Sequence, residues 1–333
     1  MSKIGRNPLE STAGLKTLIH HSGALGDLLL SLRCIGTIRR LSGLVHIAGG
    51  SDAADFLREA GYADEASSAE AAFYSSLYTT TPDEKTMEFL SRYDRAFLFT
   101  LRSDSRIVEN FRKAVRQTET IITIPPPGVR RHVSEYRMEQ LSHKIDGGSD
   151  PALSSGLLRI PSLPIERAEE FLAGSGYDST GMTLIGMHPG SGGKGKCWSI
   201  ERYLALAGRM KQDRDIFFLF FSGPAEGPDV KEKVDDFARR QRRVIHVSNA
   251  RLVTVAALLS LCHLYVGNDS GVTHLAAAVN ADVLALFGPT DPFFWKPLGR
   301  GVEVISALPP AGFPQAITVE AVYERMTSFL SRR

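Results

Sequence analysis

Residues 183–210 read TLIGMHPGSGGKGKCWSIERYLALAGRM, and this stretch decides the fold class. Its first five residues, 183–187, are mostly apolar, as in a short buried strand. A glycine-rich loop follows, and residues 200–210 then repeat apolar side chains at intervals of three and four, the period of an amphipathic helix. The stretch therefore predicts a strand, a loop and a helix in direct succession.

The same succession repeats along the chain. Further strands are predicted at residues 17–21, 44–48, 95–100, 120–124, 216–221, 244–247, 263–266 and 283–287. Helical patterns lie between them, the first at residues 26–41. Alternating strands and helices predict an α/β fold with parallel sheets and helices on both faces.

A polar stretch with several Gly and Pro residues, 146–164, interrupts this alternation and is interpreted as an inter-domain linker. We therefore expect two Rossmann-like domains, one of residues 1–160 and one of residues 161–317, that face a central cleft. The last helical pattern, in residues 318–333, could pack across either domain, including back on the N-terminal one.

Composition excludes several classes of protein. The chain has 333 residues, of which 43% are hydrophobic, and its formal net charge is only +2. This is too apolar for a disordered chain and too neutral for a general nucleic-acid-binding surface. Three scattered cysteines fit neither a disulfide framework nor a zinc site. Without an apolar run of the ~18 residues that span a bilayer, or a signal-like N-terminus, a cytoplasmic protein is expected.

Ligands of open parallel sheets lie beyond the carboxyl ends of the strands, where loops lead into helices. The first such junction, residues 23–31 (GALGDLLLS), places Asp27 at the mouth of an otherwise apolar helix. An aspartate there either complements the helix dipole or, aimed into the cleft, serves as a general base.

The second junction is the glycine-rich loop already quoted. Five glycines within residues 186–195 allow the backbone to turn its N–H groups around an anion, and Lys194 and Lys196 add positive charge. The loop therefore predicts phosphate binding. Residues 190–196 also match the G-x-x-x-x-G-K spacing of a P-loop, but Cys197 stands where a P-loop needs a hydroxyl for magnesium.

Two acidic features could bind a ligand or could have only a structural role. Glu226, in the SGPAE segment after the strand at 216–221, either accepts hydrogen bonds from ribose hydroxyls or is a solvated residue at a helix start. The DRD stretch at residues 213–215 resembles a metal-binding motif. It precedes its strand, at the amino end of the sheet, so a solvated turn is favoured and no metal site is predicted.

The last junction, residues 267–275 (GNDSGVTHL), opens another helix. Asp269 or Ser270 caps that helix, and the amides of Ser270 and Gly271 form a second anion site. His274 lies in the first turn, where it reaches the same anion. The alternative for His274 is a core residue with its hydrogen bonds satisfied.

Together these loops resemble glycosyltransferase family 9, the ADP-heptose:lipopolysaccharide heptosyltransferases. The segments that carry the resemblance are GALGDLLLS (23–31), HPGSGGKGKCWSIERY (188–203), SGPAE (222–226), GNDSGVTHLAAA (267–278) and FGPTDPFFW (287–295). The second half of the chain matches closely, and the first half matches mainly in its opening helix. The resemblance implies a GT-B fold, with the acceptor on the N-terminal domain and the nucleotide sugar on the C-terminal one.

The resemblance further implies an inverting, metal-independent transfer of heptose from ADP-heptose to a hydroxyl of a lipopolysaccharide-core or lipid A-type acceptor. No cofactor is implied, and membrane contact would be peripheral, at the inner face. Asp27 would remove the proton from the acceptor hydroxyl, Glu226 would hold the ribose and Asp269 the sugar hydroxyls. The remaining donor contacts would come from Ser191, Gly192, Lys196, Ser270, Gly271 and His274.

Departures from the family pattern concern the acceptor. Arg33 stands where family members commonly have proline, and His20 and His21 replace basic residues. Acceptor contacts are expected from His21, Arg102 and Arg106, although surface arginines often form only a solvated face. Two other functions remain open: a nucleotide-sugar-binding protein without catalysis, and a P-loop kinase or NTPase, which Cys197 disfavours.

Overall fold

A computed structural model describes residues 14–145, 158–213, 215–307 and 312–332. These residues form two compact α/β units. The first contains residues 14–23, 31–127 and 134–145, and the second contains 24–30, 128–133 and the described residues from 158 onward. The single boundary expected near residue 160 is therefore too simple, because two short segments of the N-terminal half belong to the second unit. Much of the predicted linker, residues 146–157, lies outside the described residues.

The first unit is built on a five-stranded parallel sheet with the order β3-β2-β1-β4-β5. The strands are β1 (Lys16–His21), β2 (Leu44–Gly49), β3 (Glu65–Ser68), β4 (Arg95–Thr100) and β5 (Gln117–Ile122). Ile19 of the central β1 lies opposite Ile47 of β2 and Phe97 of β4. These side chains are fully buried, as expected for the middle of a sheet that is covered on both faces.

In the described residues of the N-terminal half, seven segments are α-helical. They are α1 (Leu25–Leu29), α2 (Leu32–Arg40), α3 (Ser51–Glu59), α4 (Ala72–Ser75), α5 (Glu84–Leu90), α6 (Arg106–Ala114) and α7 (Val133–Ser142). The single helix predicted at residues 26–41 is thus divided into α1 and α2. The division falls at Ser31, whose hydroxyl is hydrogen-bonded to the buried side chains of His21 and Arg137.

The second unit contains a six-stranded parallel sheet with the order β11-β10-β9-β6-β7-β8. Its strands are β6 (Thr183–His188), β7 (Ile216–Ser222), β8 (Val244–Ser248), β9 (Leu264–Asn268), β10 (Val283–Phe287) and β11 (Val302–Ser306). The two strands that the apolar pattern did not predict, β3 and β11, are edge strands. Edge strands bury less surface, so their sequences, EASS and VEVIS, lack a long apolar run.

Besides α1, the second unit contains these helices from the C-terminal half of the chain: α8 (Ser162–Gly174), α9 (Ile200–Asp213), α10 (Pro228–Arg240), α11 (Leu252–Leu261), α12 (Gly271–Ala278), α13 (Pro292–Trp295) and α14 (Val319–Leu330). Phe218 and Phe220 of β7 are fully buried in one cluster with Tyr203 and Leu206 of α9. Met326 of α14 belongs to the same cluster. The last helix therefore packs on the second unit, one of the two placements that its sequence left open.

In the described part of the chain, none of the helices combines the length and the apolar character needed to cross a bilayer.

Replacing Phe218 by Ala should lower the free energy of unfolding of the second unit by about 3–5 kcal/mol, because it leaves a large cavity in the core. Both tryptophans, Trp198 and Trp295, lie in this unit, so tryptophan fluorescence during urea denaturation reports its unfolding. Phe171→Ala is the control, because that side chain is 46% exposed and its loss should change the free energy by no more than about 0.5 kcal/mol. Equal effects of the two variants would contradict the assigned core.

Candidate functional site

Asn268, at the carboxyl end of β9, holds the glycine-rich loop that follows β6. Its side-chain amide donates to the carbonyl oxygen of Pro189 at 2.7 Å, and its Oδ1 accepts from the backbone N–H of Trp198 at 2.9 Å. The indole Nε1 of Trp198 donates to the carbonyl oxygen of Ile317 at 2.8 Å. Both ends of the loop are thereby fixed to the carboxyl edge of the sheet.

The N-terminus of α12 lies beside this loop. Ser270 is the N-cap residue, and its Oγ accepts from the backbone N–H of Thr273 at 3.4 Å. Strand β6 pairs in parallel with β9, so the loops after them leave the same edge of the sheet. Two potential anion sites, the loop amides and the helix N-terminus, therefore face a common space.

One pocket of about 410 Å³ within the second unit contains most of the predicted site residues. Thr290 and Trp295 also line it. The predicted residues that it brings together are Asp27, Ser191, Gly192, Lys196, Asp269, Ser270, Gly271 and His274. The side chain of Lys194 is not among those that the structure describes.

Asp269 is the electrostatic centre of this pocket. It is only 7% exposed, and its Oδ2 accepts from Lys196 Nζ at 2.7 Å and from Thr290 Oγ1 at 2.5 Å. Its backbone carbonyl oxygen accepts from Ser191 Oγ at 2.7 Å. The lysine that was expected to meet phosphate is therefore held in an ion pair, with Nζ at the pocket wall.

Asp27 reaches the pocket because α1 packs closely on α12. A Cβ at Gly26 would lie 3.0 Å from His274 Cδ2, and a Cβ at Gly271 would lie 2.9 Å from Leu25 Cβ. A Cβ at Gly271 would force the two helices to shift, and one at Gly26 would require the His274 ring to move by a few tenths of an ångström, so glycine at both positions favours the close approach. The carboxylate is half-buried and belongs to the unit that carries the glycine-rich loop, not to the first unit.

His274 is buried, and its Nε2 lies 3.9 Å from Asp269 Oδ1. Burial is the main reason that its pKa falls to about 4. Asp269 and Asp27 raise the pKa, His132 and Lys196 lower it further, and the attractive effects do not overcome the burial. The imidazole is therefore neutral at pH 7, so it offers the pocket a hydrogen bond and not a positive charge.

Glu226 does not line the pocket but lies beneath the glycine-rich loop. Its Oε2 accepts from the Gly223 amide at 2.5 Å, and its Oε1 lies 3.4 Å from His188 Nε2. A Cβ at Gly190 would come within 1.7 Å of Oε1, so only glycine fits above the carboxylate. Burial raises the pKa of Glu226, but the hydrogen bonds from His188 and Gly223 lower it by more. The alternative of a solvated helix-start residue is wrong.

Residues 159–314 match the family model of glycosyltransferase family 9 (heptosyltransferase). The second unit is a glycosyltransferase family 9 domain. Lipopolysaccharide heptosyltransferase 2 of Salmonella typhimurium is 28% identical over 188 residues, 51% of this chain and 54% of that protein. The chain spans about half the length of the curated relatives it matches.

Two solved structures share the fold of the whole chain. The E. coli ADP-heptose lipopolysaccharide heptosyltransferase II is 19% identical with a TM-score of 0.74, covering 96% of this chain and 99% of that one. The E. coli heptosyltransferase WaaC with ADP-2-deoxy-2-fluoro heptose is 16% identical with a TM-score of 0.67, covering 94% and 99%. These likenesses confirm the α/β, GT-B fold class.

The predicted acceptor residues belong to the first unit and are not among the residues that line the pocket of the family 9 domain. His21 is fully buried, and its ring is hydrogen-bonded to Ser31 Oγ at 3.1 Å and to the Gly23 amide at 3.2 Å. It is therefore part of the internal structure of this unit and not a surface for an acceptor. Arg102 and Arg106 are exposed, and each forms an ion pair with a nearby carboxylate, Asp104 and Glu109 respectively.

The P-loop alternative does not fit the family 9 domain. Residues Lys194–Lys196 form one turn of 3₁₀ helix, and α9 begins only at Ile200. In a P-loop the strand and the G-x-x-x-x-G-K loop lead directly into a helix. Arg214, in the DRD stretch, lies outside the described residues.

The sequence patterns did not single out two polar residues of the family 9 domain, Asn268 and His188. Asn268 precedes the capping residues, and His188 is the last residue of β6. Each is a buried polar residue at the end of an apolar strand, a place where a polar side chain needs a partner. That position is the signal that points to them.

The low pKa of His274 predicts a pH dependence of stability. Between pH 6.5 and about 4 the unfolded chain binds a proton at this residue and the folded chain does not, so stability falls as the pH falls. His274→Asn should reduce the slope of the free energy of unfolding by up to about 1.4 kcal/mol per pH unit. Urea denaturation at several pH values measures this slope.

His143→Asn is the control, because the His143 side chain is exposed. His20 is also buried, with its pKa lowered to about 4, so some slope should remain in His274→Asn. An unchanged slope in His274→Asn would show that the pKa of His274 is the same in the folded and unfolded chains.

Proposed function

We propose that this protein is an inverting, metal-independent glycosyltransferase that transfers heptose from ADP-heptose to a hydroxyl of a lipopolysaccharide-core acceptor. The observation that carries the proposal is the presence of Asp27 in the same pocket as Lys196 and the α12 N-terminus. A base and an anion site that share one pocket suit group transfer with a phosphate leaving group. The names of the family relatives support heptose and lipopolysaccharide as substrates.

The pocket provides for a departing diphosphate. The Ser270 and Gly271 amides at the start of α12 offer hydrogen bonds, and Lys196 offers a positive charge. Lys196 would exchange its contact with Asp269 for the diphosphate, and the Asp269 carboxylate would then accept from sugar hydroxyls. Because protein groups neutralise the leaving group, the reaction needs no bound cation.

Asp27 would act as the general base. As the acceptor oxygen attacks the anomeric carbon from the side opposite the diphosphate, the carboxylate takes the hydroxyl proton and the configuration at that carbon inverts. The C–O bond to ADP breaks in the same step, and ADP leaves with the electron pair. The acceptor is a lipid-linked sugar, so we further propose that the enzyme works in the cytoplasm with peripheral contact at the inner membrane face.

Asp27→Asn should lower turnover by about 10²- to 10⁴-fold, the usual contribution of a general base. The affinity for ADP should stay within about twofold of wild type, because the substitution leaves the anion site intact. Transfer from ADP-heptose to a truncated lipopolysaccharide core, measured in excess EDTA, gives the turnover. Asp52→Asn is the matched control, because Asp52 is an exposed aspartate in the first turn of α3.

Three outcomes would contradict the proposal in different ways. Full turnover by Asp27→Asn would show that Asp27 is not the general base. Loss of wild-type transfer in EDTA would show that a metal is required. Binding of ADP-heptose without turnover on any acceptor would favour the alternative of a nucleotide-sugar-binding protein without catalysis.

Lys196→Gln should weaken ADP binding by about 10- to 100-fold, because a hydrogen bond to a charged group contributes about 1.5–3 kcal/mol. Isothermal titration calorimetry with ADP measures the loss. Lys85→Gln removes an exposed lysine from α5 and should leave the affinity unchanged. Equal affinities of Lys196→Gln and wild type would mean that Lys196 stays with Asp269 when ADP binds.

A further inference from the structure

We propose that His188 is a positioning residue of the donor site, which joins the Glu226 carboxylate to the N-cap of α12 through its two ring nitrogens. The inference rests on the proposed function, since it concerns the binding of that same donor. His188 would thereby fix the position of Glu226, which is expected to bind the ribose, relative to the α12 N-terminus, which is expected to bind the diphosphate.

The contacts on both sides of the ring support this role. His188 is the last residue of β6 and is only 4% exposed. Its Nε2 lies 3.4 Å from Glu226 Oε1, and its Nδ1 lies 3.3 Å from Ser270 Oγ. One buried imidazole thus spans the space between the glutamate beneath the glycine-rich loop and the serine that caps α12.

The protons can be placed by counting donors and acceptors. Ser270 Oγ accepts from the Thr273 amide as the helix cap, so its single proton is available to be donated. The Thr273 hydroxyl donates to the carbonyl oxygen of Asn268 at 2.5 Å and lies 3.1 Å from both the Tyr265 hydroxyl and Ser270 Oγ. The Ser270 proton therefore has two acceptors within reach, Thr273 Oγ1 and His188 Nδ1 at 3.3 Å. We place it in the bond to Nδ1, because Nε2 on the other side of the ring faces a carboxylate and has to be the donor.

A histidine ring that accepts at Nδ1 carries its single hydrogen on Nε2. That hydrogen points toward Glu226 Oε1, and an ionised carboxylate is an acceptor only. The second carboxylate oxygen accepts from the Gly223 amide, so both oxygens have donors within the unit. A single tautomer of His188 thus satisfies the glutamate and the helix cap at once.

The position of Glu226 matters to the loop above it. Its Oε1 occupies the space that a Cβ at Gly190 would need, so the loop backbone rests directly on the carboxylate. The loop continues to Ser191 and Gly192, which line the donor pocket. A shift of Glu226 would therefore move the loop, and the loss of the Ser270 contact would loosen the anion site at the helix.

Three substitutions separate the two contacts. Asn at position 188 places its amide near the location of Nδ1 and retains the contact with Ser270. Gln places its amide near the location of Nε2 and retains the contact with Glu226, and Ala removes both. His263→Ala is the control for general loss of a histidine, because His263 lies just before β9, at the opposite end of the sheet, and lines a different pocket.

Calorimetry with ADP and steady-state kinetics with ADP-heptose test the inference. His188→Ala should weaken ADP binding and raise the donor KM by about 10- to 100-fold, and kcat at saturating donor should stay within about threefold. His188→Asn and His188→Gln should each recover part of the affinity. Inorganic pyrophosphate, which lacks a ribose, should inhibit His188→Asn nearly as well as wild type and His188→Gln less well.

Two results would overturn the inference and leave the proposed function standing. One is an ADP affinity in His188→Ala equal to wild type, with or without a lower melting temperature. The other is a loss confined to kcat. If His188→Ala does not fold, unchanged ADP affinity in both His188→Asn and His188→Gln would overturn it equally. Failure of the wild-type protein to bind ADP would overturn the proposed function and this inference with it.

Discussion

The side-chain hydrogen bonds of Asn268 connect two loops that are about eighty residues apart in the chain, and the donor pocket depends on them. The parallel pairing of β6 with β9 sets His188 opposite Gly267, which brings the ends of the two strands to one edge. The side chain of Asn268 then bonds the carbonyl oxygen of Pro189 and the amide of Trp198. Because these bonds are buried, breaking them would leave polar groups without partners, at a cost of about 1–3 kcal/mol each. The loop is consequently held before any ligand arrives.

The charges of the pocket are closely balanced, as is the net charge of +2 for the whole chain. Lys196 is paired with Asp269, and burial keeps His274 neutral at pH 7. An anion in this pocket is met by backbone amides and by one lysine that changes partners, and not by a surface with a large positive potential. Such an arrangement favours a ligand that offers both a diphosphate for the lysine and hydroxyls for the aspartate.

The short helix α1 links the candidate base to the donor loops. Gly26 and Gly271 allow α1 and α12 to pack closely, because a Cβ at Gly271 would overlap Leu25 and a Cβ at Gly26 would press on the His274 ring. Asp27 is therefore held relative to the α12 N-terminus by direct helix packing within one unit. The position of the carboxylate relative to the anion site is therefore set within the second unit.

Periodicity and local chemistry in the sequence determined the α/β class, most of the strands and the residues that line the pocket. Apolar strands, glycine-rich junctions and a helix cap are local properties, because each depends on neighbours within a few residues. The resemblance to family 9 rested on the same junctions, and the matched region from 159 to 314 confirms it for the second unit.

Only the tertiary structure decided which unit each segment joins and which side chains meet. Packing against α12 places residues 24–30 in the second unit, and packing against α9 places the last helix there as well. His21, expected to contact the acceptor, is buried inside the first unit. Glu226 is buried beneath the glycine-rich loop, where it contacts His188. These outcomes depend on contacts between residues far apart in the chain, and no local pattern in the sequence encodes such distances.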